Sequence, residues 1–330
     1  MIKEKGLEGT FMKRVGLSIY GLSLYDSEKE ENINLNQVKD SQSIVQLIKN
    51  YIDDNGMEYT TDVSNEKVYK FTDITMEDVK VGDKEEYSIL YGVVKTGEYG
   101  VQAELFDISD NSISEKKSTQ AEVLPFGFCI ALAKGEKTKA VLILQTLGNL
   151  GIKRVFSRYL YRCISYYRLG NSMSIQSLYP IQYIDRILQR GTLQKIRMIR
   201  YEMPEEITNR IGVNLGVKLK EERVLFKPVG FVKNNKNKIL ECLRGQRAST
   251  NIIEIPDFDY DQLKFEFQIN NKQKTINFNN TEELRVNEDI TDEVKTDNGI
   301  PVFQSLQEIL KQSAYEYLKL IGFVVEPKEL

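Results

Sequence analysis

Arg154, Arg158 and Arg162 recur at intervals of four, the spacing that stacks side chains into one ridge along a helix, and Tyr161 stands beside them. A guanidinium forks onto a phosphate with a two-pronged geometry that an ammonium lacks, and a tyrosine ring stacks on a base for about 1–3 kcal/mol. Over residues 153–200 ten cations face a single carboxylate, Asp185, and tyrosines at 159, 166, 167, 179, 183 and 201 are interleaved with them. Lys195, Arg197 and Arg200 close the run on a strand-like stretch. This pattern points to a nucleic-acid-binding accessory protein that grips DNA or RNA by its phosphates, and bacterial genome or antiviral defence is a setting that would suit it. A later basic group from Lys218 to Arg247 extends the patch. A second reading gives the same charges to assembly. Acidic stretches at 26–31 and 289–297 can neutralise the basic middle, within one molecule or across an interface, as in a structural subunit that homo-oligomerises or docks a protein partner.

Two further groups of residues have chemical potential. Gly148, Gly151 and Lys153 follow a strand and open a helix, where backbone N–H groups and the helix dipole hold anions, although the spacing matches neither common nucleotide-binding glycine motif. Asp107 with Glu115 and Lys117 forms the spacing nearest to a magnesium-dependent nuclease, two carboxylates for the ion and a lysine for the attacking hydroxide or the phosphate. Against this, the stretch carrying them is polar and reads as a solvated surface loop. Magnesium is expected only on this third reading; otherwise neither a metal nor a cofactor is. The chain has no histidine. Ser-His-Asp and Cys-His nucleophiles, zinc peptidases built on paired histidines and imidazole proton shuttles are thereby excluded.

Elements must position these groups. Residues 15–25 read as a long first strand, and residues 43–51 as a short amphipathic helix ended by the cluster at 53–56. Residues 87–94 and 99–106 read as a hairpin turning at 95–98, and 126–133 with 140–145 as another. These runs are apolar on both faces and so belong in the middle of a covered sheet. Helices are expected over 152–168 and 181–189, a strand over 193–201, a short helix from Pro204 to Arg210 and a late hairpin around 265–278. A last helix, with Pro301 just inside its start, repeats Phe303, Leu306, Ile309, Leu310, Tyr317, Leu318 and Ile321 at helical spacing.

The expected fold is therefore α+β: a mixed, largely antiparallel sheet built from hairpins, with interspersed helices and a C-terminal amphipathic helix. A division near Pro125 would separate an acidic region, 1–125, from a region with the basic centre, 126–330, unless the whole is one domain. The 330 residues are 41% apolar and 28% charged with a net charge of −3, a balance that suits a folded chain. No stretch has the length of a membrane span, and Cys129, Cys163 and Cys242 are far apart, which suits buried free thiols. A soluble, cytoplasmic protein without a membrane partner is expected.

Overall fold

The computed structural model describes residues 13–135, 137–169, 172–178, 181–201, 220–243, 246–256, 258–269, 272–278 and 287–324. Its contacts divide the chain into two units, Met1–Ile175 with Asp289–Leu330, and Gln176–Glu288. The fold is α+β, with antiparallel sheets and five helices among the described residues.

In the first unit a ten-stranded sheet follows from strands that are apolar on both faces. β1 (Val15–Asp26) pairs along β9 (Ala140–Leu147), from Val15 opposite Leu147 to Leu22 opposite Ala140. β2 (Glu31–Asn32) returns on the end of β1. Then come α1 (Ile44–Asn55), β3 (Thr60–Asp62), β4 (Lys67–Val81) and β5 (Lys84–Glu98), the short arm β6 (Ala103–Phe106) and β7 (Ile113–Lys116), and β8 (Glu122–Ala133). β10 (Leu150–Gly151), α2 (Lys153–Tyr166) and β11 (Ser172–Ser177) follow β9. The main sheet runs β11-β1-β9-β8-β5-β4-β3.

Ser43 caps α1, its hydroxyl accepting from the N–H of Gln46 at 3.2 Å, and Gly56 ends the helix by donating to Ile52. One face of the sheet meets α1 and α2: Phe71 and Phe128 pack on Phe156, and Phe71 lies 4.4 Å from the ring of Tyr159. The other face meets the C-terminal helix, where a Cβ at Gly127 would lie 2.5 Å from Leu306 Cδ2. Helices on both sides explain why β8 and β9 carry hardly a polar residue.

In the second unit α3 (Ile181–Arg190), β12 (Thr192–Arg200), β13 (Glu221–Phe226), α4 (Phe231–Leu243), β14 (Gln262–Ile269) and β15 (Lys272–Asn277) make a four-stranded sheet ordered β13-β12-β14-β15. Ile196, Met198, Leu263, Phe265 and Phe267 share a core with Ile184, Ile187 and Leu188 of α3 and with Ile239, Cys242 and Leu243 of α4. β16 (Asn287–Asp289), which pairs with β1, and the small ladder of β17 (Thr296–Asp297) with β18 (Ile300–Pro301) lead into α5 (Phe303–Leu320), the helix on the first sheet.

Several expectations are corrected. Residues 95–98 do not turn: they lie inside β5, with Lys95 opposite Pro125 and Gly97 opposite Val123. A Cβ at Gly97 would stand 2.1 Å from the carbonyl oxygen of Glu122, so this glycine serves close strand approach. The turn into β5 is instead at Gly82, with φ +67°. Pro125 lies within β8, so the division at the start of β8 does not coincide with the one the contacts make, which falls at 175 and 288. Pro301 sits in β18 and α5 begins after it, at Phe303. The helix expected from Pro204 to Arg210 lies outside the described residues. All three cysteines are free and buried. Among the described residues no helix is long and apolar enough to cross a membrane.

Candidate functional site

Helical spacing does place Arg158 and Arg162 on one side of α2, and that side faces a buried carboxylate. Asp62, at the end of β3 with its side chain 5% exposed, lies 3.3 Å from Arg158 Nε and 3.9 Å from Arg162 Nη2. It also accepts from Ser64 Oγ at 2.9 Å and from Asn65 Nδ2 at 2.7 Å. Burial works to raise its pKa, but the bonds from Asn65 and Ser64 and the two guanidinium groups outweigh that and hold it below the usual carboxylate range. Arg158 also donates to Ser64 Oγ at 2.7 Å and Arg162 to Tyr69 Oη at 2.6 Å. Two of the three ridge arginines thus pin α2 to the strands beneath it.

The tyrosines divide in the same way. Tyr159 is buried among Tyr51, Tyr69 and Phe71, its hydroxyl donating to the carbonyl of Tyr51 at 3.1 Å. Burial pushes its pKa up strongly. Tyr161 is half exposed but donates to the carbonyl of Met173. Tyr166 is exposed and packs its ring on Tyr51 and Tyr167.

Arg154 is different. It is exposed and, with Lys13, Lys67 and Lys116, lines a cleft of about 840 Å³ that also holds Glu66, Glu98 and Glu122. Lys67 pairs with Glu98 at 2.9 Å and Lys116 with Glu122 at 3.3 Å, whereas Arg154 and Lys13 make no ion pair among the described residues. Gly151 lines the same cleft, and Gly148, at φ +58°, turns β9 back as β10, its N–H donating to the carbonyl of Arg14. Lys153 leads α2, its Nζ 4.7 Å from the centre of the Tyr20 ring. Among the described residues no side chain caps this helix start. Gly151 and Arg154 therefore meet at the cleft, while Gly148 serves the turn and Lys153 lies over Tyr20.

The cations of β12 are engaged within their own sheet. Arg197 binds Glu222 through Nε and Glu266 at 3.2 Å, Lys195 lies 3.6 Å from Glu266, and Arg200 donates to the carbonyl of Asp259 at 2.7 Å and lies over the Phe258 ring. The bond from Arg197 holds Glu222 below the usual carboxylate range, against a smaller opposing effect of burial.

The residues considered for magnesium lie on the β6–β7 arm. Asp107 takes the N–H and hydroxyl of Ser109 in the connecting turn, Glu115 bonds Gln102, and Lys117 follows the arm's return. Asp107 and Glu115 are exposed. Among the described residues no group of three or more histidine, cysteine, aspartate or glutamate side chains is placed to hold a metal ion. The arm's notable feature is apolar. Phe106 and Ile113 stand directly opposite each other at 57% and 66% exposure, Ile108 at the tip is 83% exposed, and Leu105 and Val101 are exposed as well.

No protein-family model matches the chain, and no curated protein matches its sequence. Its chemistry is therefore carried by its own geometry.

Three features went unread in the sequence. The sequence reads 99–106 as a strand but the stretch from Asp107 to Lys117 as a polar loop, and five bulky apolar residues between 101 and 113 among serines and aspartates are the signal for an exposed apolar arm. The Asp62 hub gives none, because Asp62 lies 96 residues before Arg158 and 100 before Arg162. Ser88 is the third. Its hydroxyl lies 2.5 Å from Asp78 and accepts from Lys134 Nζ at 2.9 Å, while Lys134 is 2.6 Å from Asp78. A serine beside a lysine can be a nucleophile, but Ser88 is 2% exposed and its proton is directed at Asp78, so the trio cross-links β4, β5 and the end of β8.

Proposed function

We propose that this protein is a structural or interaction subunit, and that the β6–β7 arm is the element through which it assembles. The observation that carries this reading is the arm's exposed apolar surface at Phe106, Ile108 and Ile113. A two-stranded hairpin is marginal in water, and exposed apolar side chains grouped on one such element mark interaction surfaces. The engagement of Arg158, Arg162, Lys195, Arg197 and Arg200 with groups of their own unit supports it further, since those cations act as internal fasteners. The test is the size of the protein in extract of the cells that make it. Wild type should elute well above its 38.1 kDa, and Phe106→Ser with Ile113→Ser should shift it downwards. Elution of wild type at monomer size overturns the reading.

A second reading, binding of DNA or RNA, keeps one specific support: Arg154 and Lys13 face the 840 Å³ cleft without an ion-pair partner among the described residues. Affinity for a labelled oligonucleotide that falls steeply with salt and drops in Arg154→Ala with Lys13→Ala would support it. Unchanged affinity in that variant would remove the cleft from consideration. Genome or antiviral defence belongs with this second reading. The three buried free thiols suit the cytoplasm, a reducing compartment, under both readings.

A further inference from the structure

The cleft beside Arg154 is a fork in the main sheet. β8 and β9 pair only from Phe128 opposite Leu144 to Ala131 opposite Val141. Before Phe128, β8 stays with β5, while β10 takes its place beside the end of β9. At the branch point the side-chain carbonyl of Gln145 accepts the N–H of Gly127 at 2.6 Å. The hollow between the two branches, about 840 Å³, has the size of a small-molecule site, and all of its walls belong to the first unit.

Four of the charged side chains in this hollow satisfy one another. Glu98 and Glu122 stand directly opposite each other on β5 and β8, a like-charge pair that needs a cation on each carboxylate, and Lys67 and Lys116 supply them. Three more have no such role. Lys13 and Arg154 stand on the branch of β1, β9, β10 and the start of α2, and Glu66 on the branch of β4 and β5. None of these three side chains has an ion pair or hydrogen bond among the described residues. The Glu66 carboxylate lies against Gly100, 3.1 Å from where a Cβ there would stand. Next to it is Tyr99, whose N–H donates to the Glu66 carbonyl at 3.0 Å. The Tyr99 ring lines the hollow and packs on no other ring among the described residues, and exposed Leu150 and Val101 add apolar wall.

These unused groups specify a ligand. Two cations on one branch match the dianion of a phosphate monoester, which a guanidinium holds by two parallel bonds. On the other branch a free carboxylate accepts from N–H or O–H donors, and a free aromatic ring offers a flat group a stacking face. A polymer with a phosphate at every step would press further anions on Glu66, Glu98 and Glu122, whereas a molecule with one phosphate at one end does not. We propose that the hollow binds a nucleoside monophosphate: the phosphate on Lys13 and Arg154, the base beside Tyr99, and a base amino group or ribose hydroxyl donating to Glu66. This goes beyond the assembly reading and does not depend on the arm.

The experiment is calorimetric titration of the purified full chain with the common nucleoside monophosphates, with the nucleosides, which lack the phosphate, and with ribose 5-phosphate, which lacks the base. At least one nucleotide should bind, about tenfold or more tighter than its nucleoside and than ribose 5-phosphate. Arg154→Ala, Lys13→Ala and Glu66→Ala should each weaken that nucleotide about tenfold or more. Lys139→Ala, which removes an exposed cation just before the far end of β9, should leave it unchanged. Each variant is checked for an unchanged circular dichroism spectrum, and Arg154→Gln replaces Arg154→Ala if that variant does not fold, with the same loss expected. No nucleotide binding up to millimolar concentration overturns the proposal, as does equal affinity for ribose 5-phosphate or the nucleoside, or a loss in Lys139→Ala as large as in Arg154→Ala. An oligonucleotide that binds more tightly than every mononucleotide, and is lost in the Arg154 and Lys13 variants, overturns the small ligand and leaves the DNA or RNA reading standing.

Discussion

The α2 ridge and the β6–β7 arm look reversed when sequence and structure are set side by side. In the sequence the ridge is a row of free cations and the stretch from Asp107 to Lys117 a solvated loop. In the folded chain Arg158 and Arg162 close on the buried Asp62, while the arm holds Phe106, Ile108 and Ile113 out in water. A charge becomes structural when the fold puts a buried partner within reach, and an apolar side chain becomes available when no helix is left to cover it. Only Arg154, one turn before Arg158, escapes this, because the sheet beyond the start of α2 opens into the cleft.

The same chemical change in the two regions gives the largest contrast. Asp62→Asn leaves two guanidinium groups without their carboxylate. Breaking a buried pair costs about 3–5 kcal/mol, and with both arginines some two-fifths exposed the expected loss is nearer to about 2–3 kcal/mol by urea unfolding. Glu115→Gln, also carboxylate to amide but on the arm, should stay within about 0.5 kcal/mol of wild type. Equal effects of the two would break the comparison. Next in size is Gly97→Ala, expected to cost about 1–3 kcal/mol because its methyl group must displace the backbone at Glu122. A neutral result would return residues 95–98 to a turn.

Acid should loosen the hub. Asp62, and likewise Glu77 bonded by Tyr91 and Asp78 bonded by Lys134, have folded pKa values below their unfolded ones. Their contribution is complete above the unfolded value of about 4 and is lost as pH falls through the folded value. Urea midpoints should therefore decline below about pH 5, and the gap between wild type and Asp62→Asn should narrow with them. Parallel lines from pH 6 to pH 3 would show that Asp62 is not the group concerned.

Local patterning revealed most of the fold. β1, α1, the β8–β9 hairpin, α2 and α5 could each be read because periodicity, a capping serine and two-sided apolar runs are written in adjacent residues. The strand at 95–98 is hidden because Lys-Thr-Gly-Glu has turn composition, while its strand state depends on Glu122, which lies 25 residues beyond Gly97. The site was less legible for the same reason. Arg158 shows its type and spacing in sequence, but its partner Asp62 lies 96 residues away, and no local signal assigns one to the other. The same separation hides what Lys195 and Arg197 do, since Glu266 joins them only across β12 and β14.

The smallest expected effect is the most discriminating one. Phe106→Ser with Ile113→Ser removes a cross-strand apolar pair worth about 0.2–1 kcal/mol within the hairpin, and the main core contains neither residue. Global unfolding by urea should hardly move. Amide exchange should report the arm separately, through the Asp107 N–H that is bonded to the Ser112 carbonyl at 2.9 Å. In dilute purified wild type this amide should exchange quickly, since a lone hairpin opens readily. In cell extract it should become protected as arms are covered, and in the serine variant it should stay fast in both settings. Protection that is strong in both settings would mean that the arm is stable by itself, and the contrast with α2, whose fastening is internal, would then lose its basis.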